Sequence, residues 1–500
     1  MILQLARRLI PILLCVGALI ACARPDSPLE AVSKSIPAIE LKNCHLSASG
    51  FSSRIEAQCG TFSVPEDRTS SAGRQITLNL AVLPALSRNP QPDPLFFLTG
   101  GPGQAATESY PQLAGAFETI NRKRDIVLVD QRGTGQSNPL RCPTPENIDL
   151  AATFTDEAQA QYTQECVAAL DTDLRFYTTT IAMQDLDEVR AALGYDTINL
   201  YGVSYGTRAA LTYLQQYPDR VRALILDGVA PQDWDIGFYF ARDAQRALDL
   251  IFERCATDPD CNAAFPNVSG EFDAMLTALG EESVNVTLSH PVTGQPTEVT
   301  LTRKLAASTI RLLSYTPETA ALIPLLIHTA QAEGDYRPLA AQFLSGGESL
   351  SATMSDGMTY SVLCAEDVRF THEMAARANE DFYVGDMVTD MLLGVCSEWP
   401  KGYIPPGFKS PVVSSVPALL LSGEADPVTP PANADRVAEA LANSLHIVVK
   451  GQGHNVVFRG CLPRLAAEFV EQGSVVGLDT ACVETIQPMP FFIDFTGPMP

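Results

Sequence analysis

A serine, an acid and a histidine stand in this chain in the order and setting that acyl transfer needs. Ser204 lies in Gly202-Val203-Ser204-Tyr205-Gly206, the single GxSxG of the sequence, between the apolar run Ile198 to Tyr201 and the helical stretch Arg208 to Gln216. A strand that turns sharply into a helix here puts the hydroxyl at the apex of a strained turn, and the glycines remove side chains that would clash. An ordinary glycine turn with a structural serine is the plainer alternative, and the strand-to-helix setting argues against it. A serine hydroxyl is a poor nucleophile at neutral pH, so a base must take its proton and a third group must hold that base.

His454 is the expected base, because it sits in the glycine-bracketed loop Gly451-Gln452-Gly453-His454-Asn455 after the apolar run His446 to Val449. The other histidines, His45, His290, His328, His372 and His446, fall near the amino end, in a helical region or at a strand start, where packing or solvent accounts for them. Asp426, in Gly423-Glu424-Ala425-Asp426-Pro427-Val428-Thr429-Pro430, is the expected acid. Between Asp426 and His454 there is room for one loop, one helix and one strand, which places both at neighbouring strand ends. Asp227, directly after Ala223 to Leu226, competes for the role, and Glu424 is a weaker candidate.

Acyl transfer also needs backbone donors for the oxyanion. Thr99-Gly100-Gly101-Pro102-Gly103-Gln104 follows the apolar run Leu95 to Leu98, so the amides of Gly100 and Gly101 can join that of Tyr205. Losing one such donor typically costs about 2.7 to 4 kcal/mol in the transition state. As a phosphate loop the segment fails, since no GKS or GKT follows. Neither HExxH nor CxxC occurs, and no metal or cofactor is expected.

The elements that must position these residues are legible as periodicity. Short apolar runs at Leu95 to Leu98, Ile126 to Val129, Ile198 to Tyr201, Ala223 to Leu226, Ala418 to Leu421 and His446 to Val449 suit strands buried on both faces of a parallel sheet. Helical patterns alternate with them. The clearest is Ile181 to Leu193, with Thr180 as cap and Gly194 as stop. Ile76 to Val82 alternates like an antiparallel strand and adds a leading hairpin at one edge. The expected fold is α/β, a doubly wound, mostly parallel sheet. The rhythm breaks over residues 233–400, where helices dominate and one hairpin is expected around Val284 to Leu301. This stretch reads as a helical lid inserted between core parts at 41–232 and 401–500.

Ahead of the core, Arg7, Arg8 and the apolar run Leu9 to Ile20 read as a signal peptide over residues 1–21. The run is about 12 residues, short of the ~20 that a spanning helix needs. Leu19-Ile20-Ala21-Cys22 resembles a bacterial lipobox, which makes Cys22 a candidate lipidation site, with residues 22–40 as a flexible tether. An ordinary signal peptide cut slightly downstream is the alternative. The net charge of −24 excludes nucleic acid as a natural partner. Of the 12 cysteines, Cys15 falls in the leader and Cys22 at the lipid site. The remaining even number suggests disulfides in an exported chain, and pairing between sequence neighbours is expected: Cys44 with Cys59, Cys142 with Cys166, Cys255 with Cys261, Cys364 with Cys396, and Cys461 with Cys482.

The order GGPG, then Asp130-Gln131-Arg132-Gly133-Thr134-Gly135-Gln136-Ser137, then GVSYG resembles the prolyl iminopeptidase family, and more closely its exported tripeptidyl aminopeptidase-like branch. The resemblance covers nearly the whole mature chain, including the tail from Cys461 to Cys482, and departs from many relatives in having Thr99 before GGPG. It implies the α/β-hydrolase fold and an exopeptidase acting on short peptides from their free amino end. It places the protein in the bacterial periplasm or at the cell surface as a lipoprotein, or else secreted, touching membrane only through a lipid anchor. Asp130 and Arg132 are expected to brace their loop. Relatives hold the substrate amine with acids of the lid, and Glu366 and Asp367, beside Cys364, are the candidates here. A small-ester hydrolase and a catalytically silent binding lipoprotein are the alternative functions.

Overall fold

Runs of apolar residues without polar alternation form the middle of a nine-stranded sheet in the computed structural model, which describes residues 39–48, 54–70, 73–143, 156–370, 379 and 381–498. The signal peptide, Cys22 and the tether up to residue 38 lie outside the described residues. The sheet strands are β1 (Lys42–Leu46), β2 (Ile55–Pro65), β3 (Gln75–Leu83), β4 (Leu95–Leu98), β5 (Ile126–Val129), β6 (Ile198–Val203), β7 (Val221–Asp227), β10 (Ala418–Gly423) and β11 (Ser444–Val449). Their spatial order is β1-β2-β3-β5-β4-β6-β7-β10-β11. The first pairings, as far as β3 with β5, are antiparallel, and all the rest are parallel.

Every residue of β4, β5, β6 and β10 is buried, whereas β3 alternates from Gln75 to Leu78 between solvent and core. Period-two geometry sends alternate side chains to opposite faces. In β7, Leu224 and Leu226 pack into one core, and Ala223 and Ile225 into the other. Helices α1 (Ala106–Asn121), α2 (Asp156–Ala169), α3 (Thr179–Ala192) and α4 (Tyr205–Gln216) follow in the first core part. Because the central strands are parallel, the residues after β4, β6, β7, β10 and β11 emerge at one edge, where ligands bind in open α/β sheets.

Between β7 and β10 the chain forms a mainly helical body with its own core, in which Leu248, Ile251, Phe272, Met275, Ile310 and Leu326 are buried. It contains α5 (Phe240–Thr257), α6 (Pro259–Ala264), α7 (Val268–Glu281), the hairpin β8 (Val284–Ser289) and β9 (Pro296–Leu301), α8 (Arg303–Leu313), α9 (Pro317–Ala320), α10 (Ile323–Ala332), α11 (Arg337–Thr353), α12 (Asp356–Glu366) and α13 (Met387–Glu398). The chain then returns to the core with β10, α14 (Pro431–Ala440), β11 and α15 (Leu462–Gln472).

Helix α12 ties this insertion to the core. At its start the Ser355 N–H donates to the Gly103 carbonyl at 3.0 Å. At its end Glu366 accepts the N–H of Thr179 at 2.7 Å and its hydroxyl at 2.9 Å. That contact explains why α3 begins at Thr179 rather than after a Thr180 cap. A carboxylate brought from the lid satisfies the first-turn donor and suits the positive end of the helix dipole. Disulfides join Cys44 to Cys59, Cys142 to Cys166, Cys255 to Cys261, Cys364 to Cys396 and Cys461 to Cys482. The Cys364–Cys396 bridge clamps α12 to α13. Replacing both cysteines by alanine is expected to lower stability by about 2 to 4 kcal/mol, read as a lower denaturation midpoint.

Candidate active site

Ser204 follows the last residue of β6 with φ 56° and ψ −125°, a backbone conformation that ordinary residues avoid and that costs of order 1 to 3 kcal/mol. Its N–H donates to the Asp227 carbonyl at 2.9 Å, and its carbonyl accepts from the Thr207 N–H at 2.9 Å and hydroxyl at 2.6 Å. A β-carbon on Gly202 would run into the carbonyl of Gly206, and one on Gly206 into the carbonyl of Leu98. The turn therefore closes only with glycine at both positions. A β-carbon on Gly100 would lie 3.1 Å from that of Ser204, so the Gly100-Gly101 loop rests against the serine. Tyr205 begins α4, and its N–H is one of the first-turn donors that a helix leaves free. Gly100, Gly101 and Tyr205 thus remain the candidate oxyanion donors.

His454 and Asp426, the candidate base and its partner, come from the loops after β11 and β10. His454 is 8% exposed, and its Nδ1 lies 2.8 Å from Oδ2 of the wholly buried Asp426. Oδ1 of Asp426 accepts the N–H groups of Val428 and Thr429, each at 2.8 Å. The Thr429 hydroxyl donates to Oδ2 at 2.8 Å and lies 3.1 Å from His454 Nδ1. Burial pushes the Asp426 carboxyl up, but the His454 charge and hydrogen bond, with the N–H groups of Thr429 and Val428, outweigh it and hold its pKa below the ordinary value. A carboxylate kept ionised and locked at Nδ1 leaves Nε2 as the nitrogen that can exchange a proton with Ser204. Thr429 carries no sequence signal beyond its place three residues after Asp426, and only the folded loop shows its contact.

Asp227, the competing acid, is placed otherwise. Its carboxylate accepts the N–H groups of Val456 at 2.9 Å and Val457 at 3.0 Å and the Tyr201 hydroxyl at 3.0 Å, with burial raising its pKa to about 6. It anchors the loop just beyond His454. Glu424 accepts the Gly451 N–H at 2.9 Å and braces the same loop from its other end. The next residue after Asp227, Gly228, is packed under the imidazole, since a β-carbon there would sit 3.1 Å from His454 Cε1. Asp130 accepts from Thr107, Asn79 and Gln136, while Arg132 pairs with Asp185 at 2.6 and 2.8 Å; both are buried bracing groups.

The lid contributes directly. Tyr315, just past α8, accepts the His454 N–H on its carbonyl at 2.7 Å and meets the imidazole edge-on with ring centroids 5.5 Å apart. From α5, Arg246 donates to the carbonyls of Glu424 at 2.8 Å and Asp426 at 3.0 Å.

The expectation that Glu366 and Asp367 meet the substrate amine does not fit this geometry. Both are completely buried. Both oxygens of Asp367 accept from Arg208 at 2.9 Å, and Lys409 reaches one of them at 2.8 Å. Glu366 holds Thr179, whose hydroxyl in turn accepts the Tyr205 hydroxyl proton at 2.7 Å. The two acids fasten the lid to the nucleophile helix, and their charge is answered by Arg208 rather than left for a ligand. Burial, only partly offset by Arg208, raises the Glu366 pKa to about 7.

A serine on a strained strand-to-helix turn, at the strand edge that also carries a histidine locked to a buried carboxylate, defines a candidate serine hydrolase centre. The chain belongs to the α/β-hydrolase fold family, whose family model matches residues 93–460. Over 467 residues it is 26% identical to the serine protease Hip1 of Mycobacterium tuberculosis, covering 85% of this chain and 87% of that protein. It is 30% identical over 212 residues to the tripeptidyl aminopeptidase of Streptomyces lividans, covering 39% of each. The crystal structure of a proline iminopeptidase from Mycobacterium smegmatis aligns with a TM-score of 0.39 at 17% identity, over 83% of this chain and 98% of that one.

Ser204→Ala is expected to lower turnover at least about 10³-fold and Asp426→Asn about 10⁴-fold, with circular dichroism unchanged. A folded Ser204→Ala variant with wild-type turnover would remove Ser204 from the chemistry. The raised Glu366 pKa favours its neutral form in the fold. Its stabilising contribution is fully present below the unfolded value of 4.5 and is lost as pH rises through about 7. Glu366→Gln, which cannot ionise, should therefore gain in melting temperature relative to the wild type between pH 5 and pH 8.

Proposed function

We propose that this protein is an exported serine peptidase that releases residues from the free amino end of short peptides through an acyl-enzyme on Ser204. The observation that supports it most is the 2.8 Å contact of His454 with buried Asp426 at the strand edge that carries Ser204, in a chain most of whose length aligns with a serine protease. In this reading His454 takes the Ser204 proton as Oγ attacks the acyl carbonyl, and the amides of Gly100, Gly101 and Tyr205 receive the oxyanion. His454 then gives the proton to the departing amine, and water repeats the sequence to free the acyl group. Asp426 and Thr429 hold the imidazole in the required tautomer throughout.

The preference for a free amino terminus draws on the relatives named for aminopeptidase activity. Five disulfides fit an oxidising compartment outside the cytoplasm, and the leader with its Cys22 tetrad supports export with a lipid anchor. No helix of the described residues is long and apolar enough to cross a membrane.

The reading is tested with matched peptides carrying a free or an acetylated amino terminus, incubated with wild type and Ser204→Ala and followed by mass spectrometry. Free-amine peptides should be shortened from the amino end by the wild type alone, and acetylated ones spared. Equal cleavage of both would end the exopeptidase reading. Hydrolysis of small esters with no peptide cleaved would make the protein an esterase.

A further inference from the structure

Among the described residues the lid holds a cation with no ion-pair partner, although acids outnumber bases by 58 to 34 in the chain. Arg311, in the last turn of α8, makes no ion pair among the described residues, and its one hydrogen bond there runs to the Tyr315 hydroxyl at 3.1 Å. Its guanidinium carbon lies 4.6 Å from the ring centre of Phe240 and 5.4 Å from that of Tyr315. Its Nε is buried without a partner. Rings on its faces hold a guanidinium in place by cation–π attraction, but they satisfy none of its in-plane donors. A half-buried cation with rings on its faces and unspent edges is complementary to a planar anion that brings two acceptor oxygens, which is a carboxylate.

The position of the group says which end of a substrate it would meet. His454 gives its proton to the leaving amine, so what lies beyond the imidazole faces the leaving group. One ring, Tyr315, separates the imidazole from Arg311, at 5.5 Å from the first and 5.4 Å from the second. An extended peptide advances about 3.3 to 3.6 Å per residue, so this gap corresponds to a leaving group of about one to three residues.

We propose that Arg311, with the hydroxyl of Tyr315, binds a substrate carboxylate on the leaving-group side. That carboxylate is either the carboxyl terminus of a short leaving peptide or an acidic side chain at the same depth. The proposal deepens the peptidase reading and rests on it. Under it, chain length is measured from both ends, with short peptides favoured because their terminal charge falls where the cation waits.

The test compares kcat/KM on peptides of one sequence, ending in a free carboxylate or an amide, with Asp or Asn as the first leaving residue. The wild type is expected to prefer the carboxylate form by about 10- to 100-fold, the range for a hydrogen bond to a charged group. Preference for the free terminus identifies the terminal carboxylate as the ligand, and preference for Asp over Asn identifies the side chain; either supports the site. In Arg311→Gln the preferred-to-disfavoured ratio should fall toward one. Cleavage of all four peptides at equal rates by the wild type overturns the carboxylate site and leaves the peptidase reading standing, as does a preference that survives in Arg311→Gln. If no peptide is cleaved while a fluorophosphonate still labels Ser204, the peptidase reading falls and takes the proposal with it.

Discussion

Asp227 is the residue on which the geometry of the centre depends. Its carbonyl receives the N–H of Ser204, fixing the strained turn, and its carboxylate receives the N–H groups of Val456 and Val457, fixing the loop that has just passed His454. One residue thus holds Ser204 and the His454 loop in a common frame, from the strand end that lies between them in the sheet. The Gly228 that follows lets the imidazole approach, because a β-carbon there would lie 3.1 Å from Cε1, tighter than ordinary van der Waals contact. A buried carboxylate that accepts two N–H groups and the Tyr201 hydroxyl replaces lost hydration with fixed dipoles. Those donors cannot follow a moving loop, so the arrangement is rigid.

A second constraint joins the lid to this frame. Arg208 stands four residues after Ser204 on α4, and its buried pairing with Asp367 links the nucleophile helix to the end of α12. Removing one partner of such a pair typically costs about 3 to 5 kcal/mol, because the other is left buried and uncompensated. The same stretch carries Glu366, whose hold on Thr179 reaches the Tyr205 hydroxyl. At the opposite end of α12, Thr359 donates to the Pro102 carbonyl and Ser355 to that of Gly103. A single lid helix therefore contacts both parts of the candidate oxyanion region, the glycine loop and the first residue of α4.

What was legible in the sequence follows from the range of the interactions involved. The turn at Ser204 was readable because its strain is local and forces glycine on either side. The strands of the sheet were readable because burial on both faces removes polar residues from whole runs such as Ile126–Val129. Asp227 and Asp426 could not be separated with certainty, because both follow a buried strand and their roles differ only in which loop lies opposite. Thr429 and Tyr315 left no pattern at all, since a hydroxyl in a loop and a tyrosine after a helix are ordinary until the fold sets them beside His454. Glu366 and Asp367 were misread for the same reason. Their partners Thr179 and Arg208 are 187 and 159 residues away, so an acidic pair expected to meet a substrate amine is spent on contacts that only tertiary structure reveals.

The same contacts change what the insertion is. A cover could be removed and leave the chemistry in place, but here the Tyr315 carbonyl holds the His454 N–H and Arg246 holds the carbonyls of Glu424 and Asp426. Backbone groups of both loops are thus completed by lid residues rather than by water. Asp426 is wholly buried, and in that low-dielectric setting its attraction to a positively charged imidazole is stronger than it would be in water. The lid supplies this dryness and part of the loop geometry together, so the two cannot be varied separately. Substitutions in α5 or after α8 that only loosen the lid would reach the centre through the orientation of His454 before they altered access to Ser204.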